Sequence, residues 1–113
     1  MLLHGDLHHW NILRATRELW LAIDPKGVVG EPAYEVGALM RNRLGGVLQG
    51  GDPVAVVRRR LDILAEALTI DRDRIQGWAL AQAILSAWWD IEDGTGQGAD
   101  AIHFARLLER ADP

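Results

Sequence analysis

Cysteine is absent from the 113 residues, which removes disulfides and thiolate metal sites and fits a reducing compartment without requiring one. Lysine occurs once, at Lys26, and Arg58-Arg59-Arg60 is the only basic cluster. With a net charge of -4 and a pI near 5.5, the chain lacks the positive face of a nucleic-acid binder, and Asp62 and Glu66 mark the arginine run as a solvated helix face. Long apolar runs are also missing. The most apolar stretch, Trp78 to Trp89, is far shorter than the roughly 20 residues a bilayer crossing needs, so it predicts a buried helix and no membrane partner. Met1-Leu2-Leu3 leads directly to His4 without the charged, apolar and cleavage regions of a secretory leader, and cytoplasm is the expected location.

What is present suits one globular domain over residues 1–113: 49% hydrophobic and 25% charged residues, enough to build a single core. Ile12-Leu13 and Leu19 to Ile23 flank the polar Ala15-Thr16-Arg17-Glu18 and predict a β-hairpin with a four-residue connection. Glu31-Pro32 opens a first helix of about three turns that runs through Tyr34, Val36, Leu39 and Met40 to Gly45-Gly46. Asp52-Pro53 caps a second, in which Val54, Val57, Leu61, Leu64 and Leu68 recur at helical spacing. Asp71 caps a third reaching about Asp90, apolar on nearly every side from Trp78 onward, with Trp78, Trp88 and Trp89 expected in the core. Gly94-Thr95-Gly96-Gln97-Gly98 is a flexible connection rather than a phosphate cradle, because it follows a helix and not a strand, and Ile102, Phe104, Ala105 and Leu108 mark a last helix. The expected class is α+β and mostly helical, a short hairpin followed by about four helices.

The chemistry concentrates at the start, in His4-Gly5-Asp6-Leu7-His8-His9-Trp10-Asn11, with Asp24 at the far end of the hairpin in Ile23-Asp24-Pro25. The hairpin brings two carboxylates and an amide to one rim. Asp6 and Asn11 stand five apart, as in the kinase pattern H-R-D-x-x-x-x-N, whose Asp accepts a hydroxyl proton and whose Asn binds metal. Asp24 follows the next apolar strand, where kinases carry their second metal ligand, and oxygen ligands of this kind suit magnesium. His4, His8, His9 and Asp24 also suggest a transition-metal site, but the adjacent pair His8-His9 points in divergent directions on extended chain.

His-Gly-Asp-Leu-His-His-Trp-Asn-Ile-Leu at 4–13, Leu-Ala-Ile-Asp-Pro-Lys-Gly at 21–27 and Val-Gly-Glu-Pro-Ala-Tyr-Glu-Val-Gly at 29–37 together resemble the aminoglycoside phosphotransferase family, in its streptomycin 6-kinase and hydroxyurea kinase branch. The resemblance implies a protein-kinase-like C-terminal lobe, with Asp6 as catalytic base, Asn11 and Asp24 as Mg2+ ligands and His4 as a brace of the region around Asp24. It implies ATP as co-substrate and a cationic antibiotic as partner: transfer of the γ-phosphate to a hydroxyl of a streptomycin-like aminoglycoside, or to hydroxyurea, giving resistance. Lys26, two residues past Asp24, is out of place for the lysine that pairs the ATP phosphates, and the resemblance implies a further, N-terminal lobe for that task. The 113 residues are therefore expected to be a truncated C-terminal lobe with little activity alone.

The family usually carries Asp where this chain has Glu35, a position expected not to touch the site. Glu31, Glu35, Glu92 and Asp93 are candidates for attracting a cationic acceptor. Trp10 packs under the catalytic loop or faces the acceptor pocket, two readings of equal weight. The alternative to a kinase is a non-catalytic helical remnant or interaction domain; the pattern leaves oligomeric state open.

Overall fold

The computed structural model describes residues 1–41, 51–94, 96 and 98–112. Four short strands come first: β1 (Leu2–Leu3), β2 (Ile12–Arg14), β3 (Trp20–Ala22) and β4 (Val28–Val29), with a 3-10 turn at His9–Asn11 leading into β2. The expected hairpin is present, β2 pairing antiparallel with β3 in the register Ile12 to Ala22 and Arg14 to Trp20. β2 runs one residue past its apolar pair and β3 is shorter than its apolar run, leaving residues 15–19 as the connection. A second antiparallel pair, β1 with β4, matches Leu2 to Val29 and Leu3 to Val28. Strands of two residues carry no readable alternation, and the sequence pattern did not predict this pair.

The helices are α1 (Pro32–Glu35), α2 (Gly37–Arg41), α3 (Pro53–Leu68), α4 (Arg72–Asp93) and α5 (Gly98–Glu109). The predicted first helix is thus broken at Val36, and its expected end at Gly45-Gly46 lies outside the described residues. Gln82 of α4 accounts for the break: its Nε2 donates to the Tyr34 carbonyl at 2.7 Å, and it sits where a side chain on Gly37 would have to go. Asp52 and Asp71 cap α3 and α4 as expected, accepting from the N–H groups of Ala55 at 3.1 Å and Asp73 at 3.0 Å. Thr69 and Gly94 close the same helices in the left-handed conformation.

The core lies between the helices, where Ala33, Val36 and Met40 meet Val57 and Leu61 of α3, Ile75, Ala79 and Ala83 of α4, and Phe104, Leu107 and Leu108 of α5. One expectation fails here. Trp88 and Trp89 stand outside the core with more than half their surface exposed, as do Ile84 and Ile91. The buried stripe of α4 is Ile75, Ala79, Ala83 and Ala87, one residue every helical turn. Small side chains let α5 come close, so close that a Cβ on Gly98 would lie 3.2 Å from the Ala87 carbonyl. A helix apolar all round buries the face that permits the tightest approach. Trp78 packs against the core, edge-on to Tyr34 with ring centroids 5.4 Å apart.

The arginine run has work beyond solvation. Arg60 Nη1 donates to the Met40 carbonyl at 3.0 Å and Arg58 Nε to the Asp112 carbonyl at 3.1 Å, fastening α3 to the ends of α2 and of the chain. Among the described residues no helix is long and apolar enough to cross a membrane.

Candidate active site

The loop from His4 to Asn11 is shaped by hydrogen bonds more than by packing. Gly5 takes φ +88°, a left-handed conformation that favours glycine, and a Cβ there would also press on Val28 Cγ2 at 2.9 Å. Asp6 N–H donates to His4 Nδ1 at 3.1 Å. A ring that accepts at Nδ1 carries its hydrogen at Nε2, and His4 Nε2 lies 2.7 Å from the Ile23 carbonyl, to which it donates. His4 therefore ties the residue before Asp24 to the residue it precedes by two.

Asn11 makes the second connection. It is buried, its Nδ2 donates to the Asp6 carbonyl at 2.9 Å, and its own carbonyl accepts from the Ile23 N–H at 2.8 Å. Asp6, Asn11 and Asp24 are thus brought to one rim through the peptide groups of Asp6, Asn11 and Ile23. Asp24 is exposed and has φ +54°, an uncommon conformation in a non-glycine residue that costs about 1–3 kcal/mol where it is imposed. Both flanks impose it. Ile23 is held by His4 and Asn11, while the N–H groups of Lys26 and Gly27 donate to the His4 carbonyl at 2.8 and 3.1 Å. With Nδ2 committed to Asp6, the Asn11 amide keeps its oxygen for another partner. That oxygen and the Asp24 carboxylate are hard donors of the kind magnesium takes, and magnesium binds proteins through one or two such groups with its remaining ligands from water and phosphate. Among the described residues no three His, Cys, Asp or Glu side chains converge as metal ligands.

Glu35 overturns its expectation. It was expected not to touch the site, yet its Oε2 accepts from the His4 N–H at 2.6 Å and its Oε1 from the Gly5 N–H at 3.0 Å, across thirty residues of chain. A single carboxylate at the end of α1 grips the loop by two consecutive N–H groups, and charge-assisted bonds of this kind are the stronger class. The corresponding donors are backbone groups that no residue pattern displays. The available signal was a carboxylate between two residues, Ala33 and Val36, destined for the core.

Two side chains flank Asp6 Oδ2 at 3.6 Å each, the His8 ring through Nε2 and the Lys26 ammonium through Nζ. Exposed pairs at this distance contribute at most about 1 kcal/mol to stability. Arg41 stands at the end of α2. Burial pushes its guanidinium down from the ordinary value and the charges of Asp90 and Asp6 push it back, so a cation is held within electrostatic reach of Asp6.

Of the four carboxylates considered for a cationic acceptor, two are committed elsewhere. Glu35 holds the loop, and Glu31 pairs with Arg74, whose guanidinium lowers the Glu31 carboxyl from its usual range. Glu92 and Asp93 remain exposed near the end of α4. Trp10 is 71% exposed, which rules out packing under the loop.

Comparison with known proteins places this geometry in context. The family model described as aminoglycoside/hydroxyurea antibiotic resistance kinase matches residues 1–94. The streptomycin 6-kinase of Streptomyces glaucescens is 45% identical over 94 residues, covering 83% of this chain and 31% of that protein. For the streptomycin 6-kinase of Streptomyces griseus the identity is 46% over 93 residues, 82% of this chain and 30% of that one. The hydroxyurea phosphotransferase of Kitasatospora aureofaciens is 38% identical over 93 residues, 82% of this chain and 25% of that one. The chain therefore spans about a third or less of the length of these relatives. No solved structure matches.

Proposed function

The chain belongs to the aminoglycoside/hydroxyurea antibiotic resistance kinase family, and from that premise we propose that it forms the catalytic rim of an ATP-dependent kinase acting on a hydroxyl of a streptomycin-like aminoglycoside. The observation that carries this reading is the hydrogen-bonded linkage of Asp6, Asn11 and Ile23-Asp24, gripped from α1 by Glu35. Phosphoryl transfer depends on positioning and electrostatics more than on covalent chemistry, and a rim fixed by directional bonds serves that need. Asp6, half-buried at the surface, accepts the proton of the acceptor hydroxyl as the hydroxyl oxygen bonds to the γ-phosphorus, and the bond from phosphorus to the ADP oxygen breaks. Asn11 and Asp24 are the residues that would hold magnesium, which when bound neutralises charge on the phosphate oxygens. His4 keeps the base and the Asp24 turn in register.

The higher identity to streptomycin 6-kinases than to the hydroxyurea phosphotransferase favours the aminoglycoside acceptor. In this reading the 113 residues are a kinase-like C-terminal lobe working in the cytoplasm, and nucleotide binding depends on polypeptide of the kind that precedes the matched segment in the relatives. The test joins this chain to that preceding portion of the Streptomyces griseus streptomycin 6-kinase and assays ATP-dependent phosphorylation of streptomycin and, separately, hydroxyurea. Streptomycin should be the better acceptor, and Asp6→Ala should lower kcat by about a thousandfold or more. An Asp6→Ala protein as active as its parent would end the proposal.

A further inference from the structure

We propose that Lys26 is a catalytic residue of this site, the cation that moves from Asp6 to the γ-phosphoryl group as transfer begins; this rests on the phosphotransfer reading above. Its backbone and its side chain have separate tasks. The backbone N–H is fixed to the His4 carbonyl at 2.8 Å, which sets the Asp24–Gly27 turn against the catalytic loop whatever side chain residue 26 carries. The side chain reaches Asp6, placing Nζ 3.6 Å from Oδ2, and remains 69% exposed.

The other side chain beside Asp6 is not equivalent. His8 Nε2 is also 3.6 Å from Oδ2, but its ring accepts the Trp10 N–H at 3.2 Å and lies 3.3 Å from Asn11 Nδ2, so it is held in place as part of the loop. Lys26 has no such constraint on its ammonium. A flexible point charge on a four-carbon stem can follow a phosphate, and its exposed ion pair with Asp6 is weak enough to be exchanged. The acceptor hydroxyl must come within hydrogen-bond distance of Asp6, and the phosphorus it attacks is then bonded to that same hydroxyl oxygen. An ammonium already beside Asp6 is therefore next to the equatorial oxygens on which charge gathers in the transition state. In the step itself the hydroxyl proton passes to Asp6, the new O–P bond forms, the bond to the ADP oxygen breaks, and Lys26 stays protonated throughout.

Two measurements test this. In the fused kinase, Lys26→Ala should lower kcat about 100-fold while the acceptor KM changes by less than about threefold, and Lys26→Arg should recover part of the loss. Because the tether is made by the backbone, the thermal midpoint of Lys26→Ala should match its parent. A kcat within about twofold of the parent would overturn the proposal. The second uses the 113-residue chain alone, where the sole lysine gives one assignable signal. With lysine labelled at Cε by 13C, inorganic phosphate should shift that signal saturably relative to potassium chloride of equal ionic strength, and at lower phosphate in Asp6→Asn, where the competing carboxylate is gone. A signal that responds equally to phosphate and chloride overturns the proposal. An inactive fusion would count against the phosphotransfer reading, while the lysine signal would still decide whether Lys26 receives phosphate.

Discussion

Residues 1–30 bury only Leu3 and Asn11, whereas the helices from Pro32 onward enclose a continuous apolar cluster that runs from Ala33 to Ala111. The first region is held by directional bonds: His4 with Ile23, Asn11 with Asp6, Glu35 with His4 and Gly5. The second is held by volume, with alanines every turn of α4 receiving α5. Directional bonds set positions to fractions of an ångström but add little net stability, and apolar burial does the opposite. The proposed chemistry thus falls on the weakly packed region, supported by the strongly packed one, and the two should fail in different ways.

The sharpest separation should come from Phe104, fully buried in α5. Phe104→Ala is expected to lower unfolding free energy by about 3–5 kcal/mol, read by urea denaturation, while kcat of the fused kinase measured well below the transition stays near the parent value. Glu35→Gln should show the reverse balance. It costs about 1–3 kcal/mol because one oxygen facing an N–H is lost, yet kcat should fall at least tenfold. Equal losses of stability and rate in both variants would break the comparison. Gly5→Ala sharpens it: a side chain forced to φ +88° costs about 1–3 kcal/mol, and combining it with Val28→Ala, which clears the contact at 2.9 Å, should recover only part of that cost.

The smallest effect belongs to Glu31 and Arg74, which link the start of α1 to α4 at the surface. Arg74 holds the Glu31 carboxyl below its usual range, so its stabilising contribution is complete above the unfolded-state value and disappears as pH falls through the lower folded-state value. The thermal midpoints of the parent and Arg74→Ala should therefore differ slightly at neutral pH and converge in acid.

This contrast also governs what was legible in the sequence. The caps Asp52 and Asp71, the helices they open and the β2–β3 hairpin were readable because each depends on residues near one another in the chain. The meeting of Asp6, Asn11 and Ile23-Asp24 across the hairpin was readable for the same reason, since their spacing is local. The break between α1 and α2 was hidden because Gln82 causes it from 48 residues beyond Tyr34. The outward turn of Trp88 and Trp89 was hidden too, because a helix with apolar residues on every side gives no sign of which face a partner will approach. Glu35 combines both difficulties, a distant carboxylate acting on backbone groups.

Glu35 also couples the position of a helix to the position of a loop. Because α1 ends in the carboxylate that holds the His4 and Gly5 N–H groups, a mutation that slides this helix would displace the neighbouring Asp6 with it. Under the proposed kinase reading, changes of acceptor should consequently arise on surfaces that can drift without pulling on residue 35.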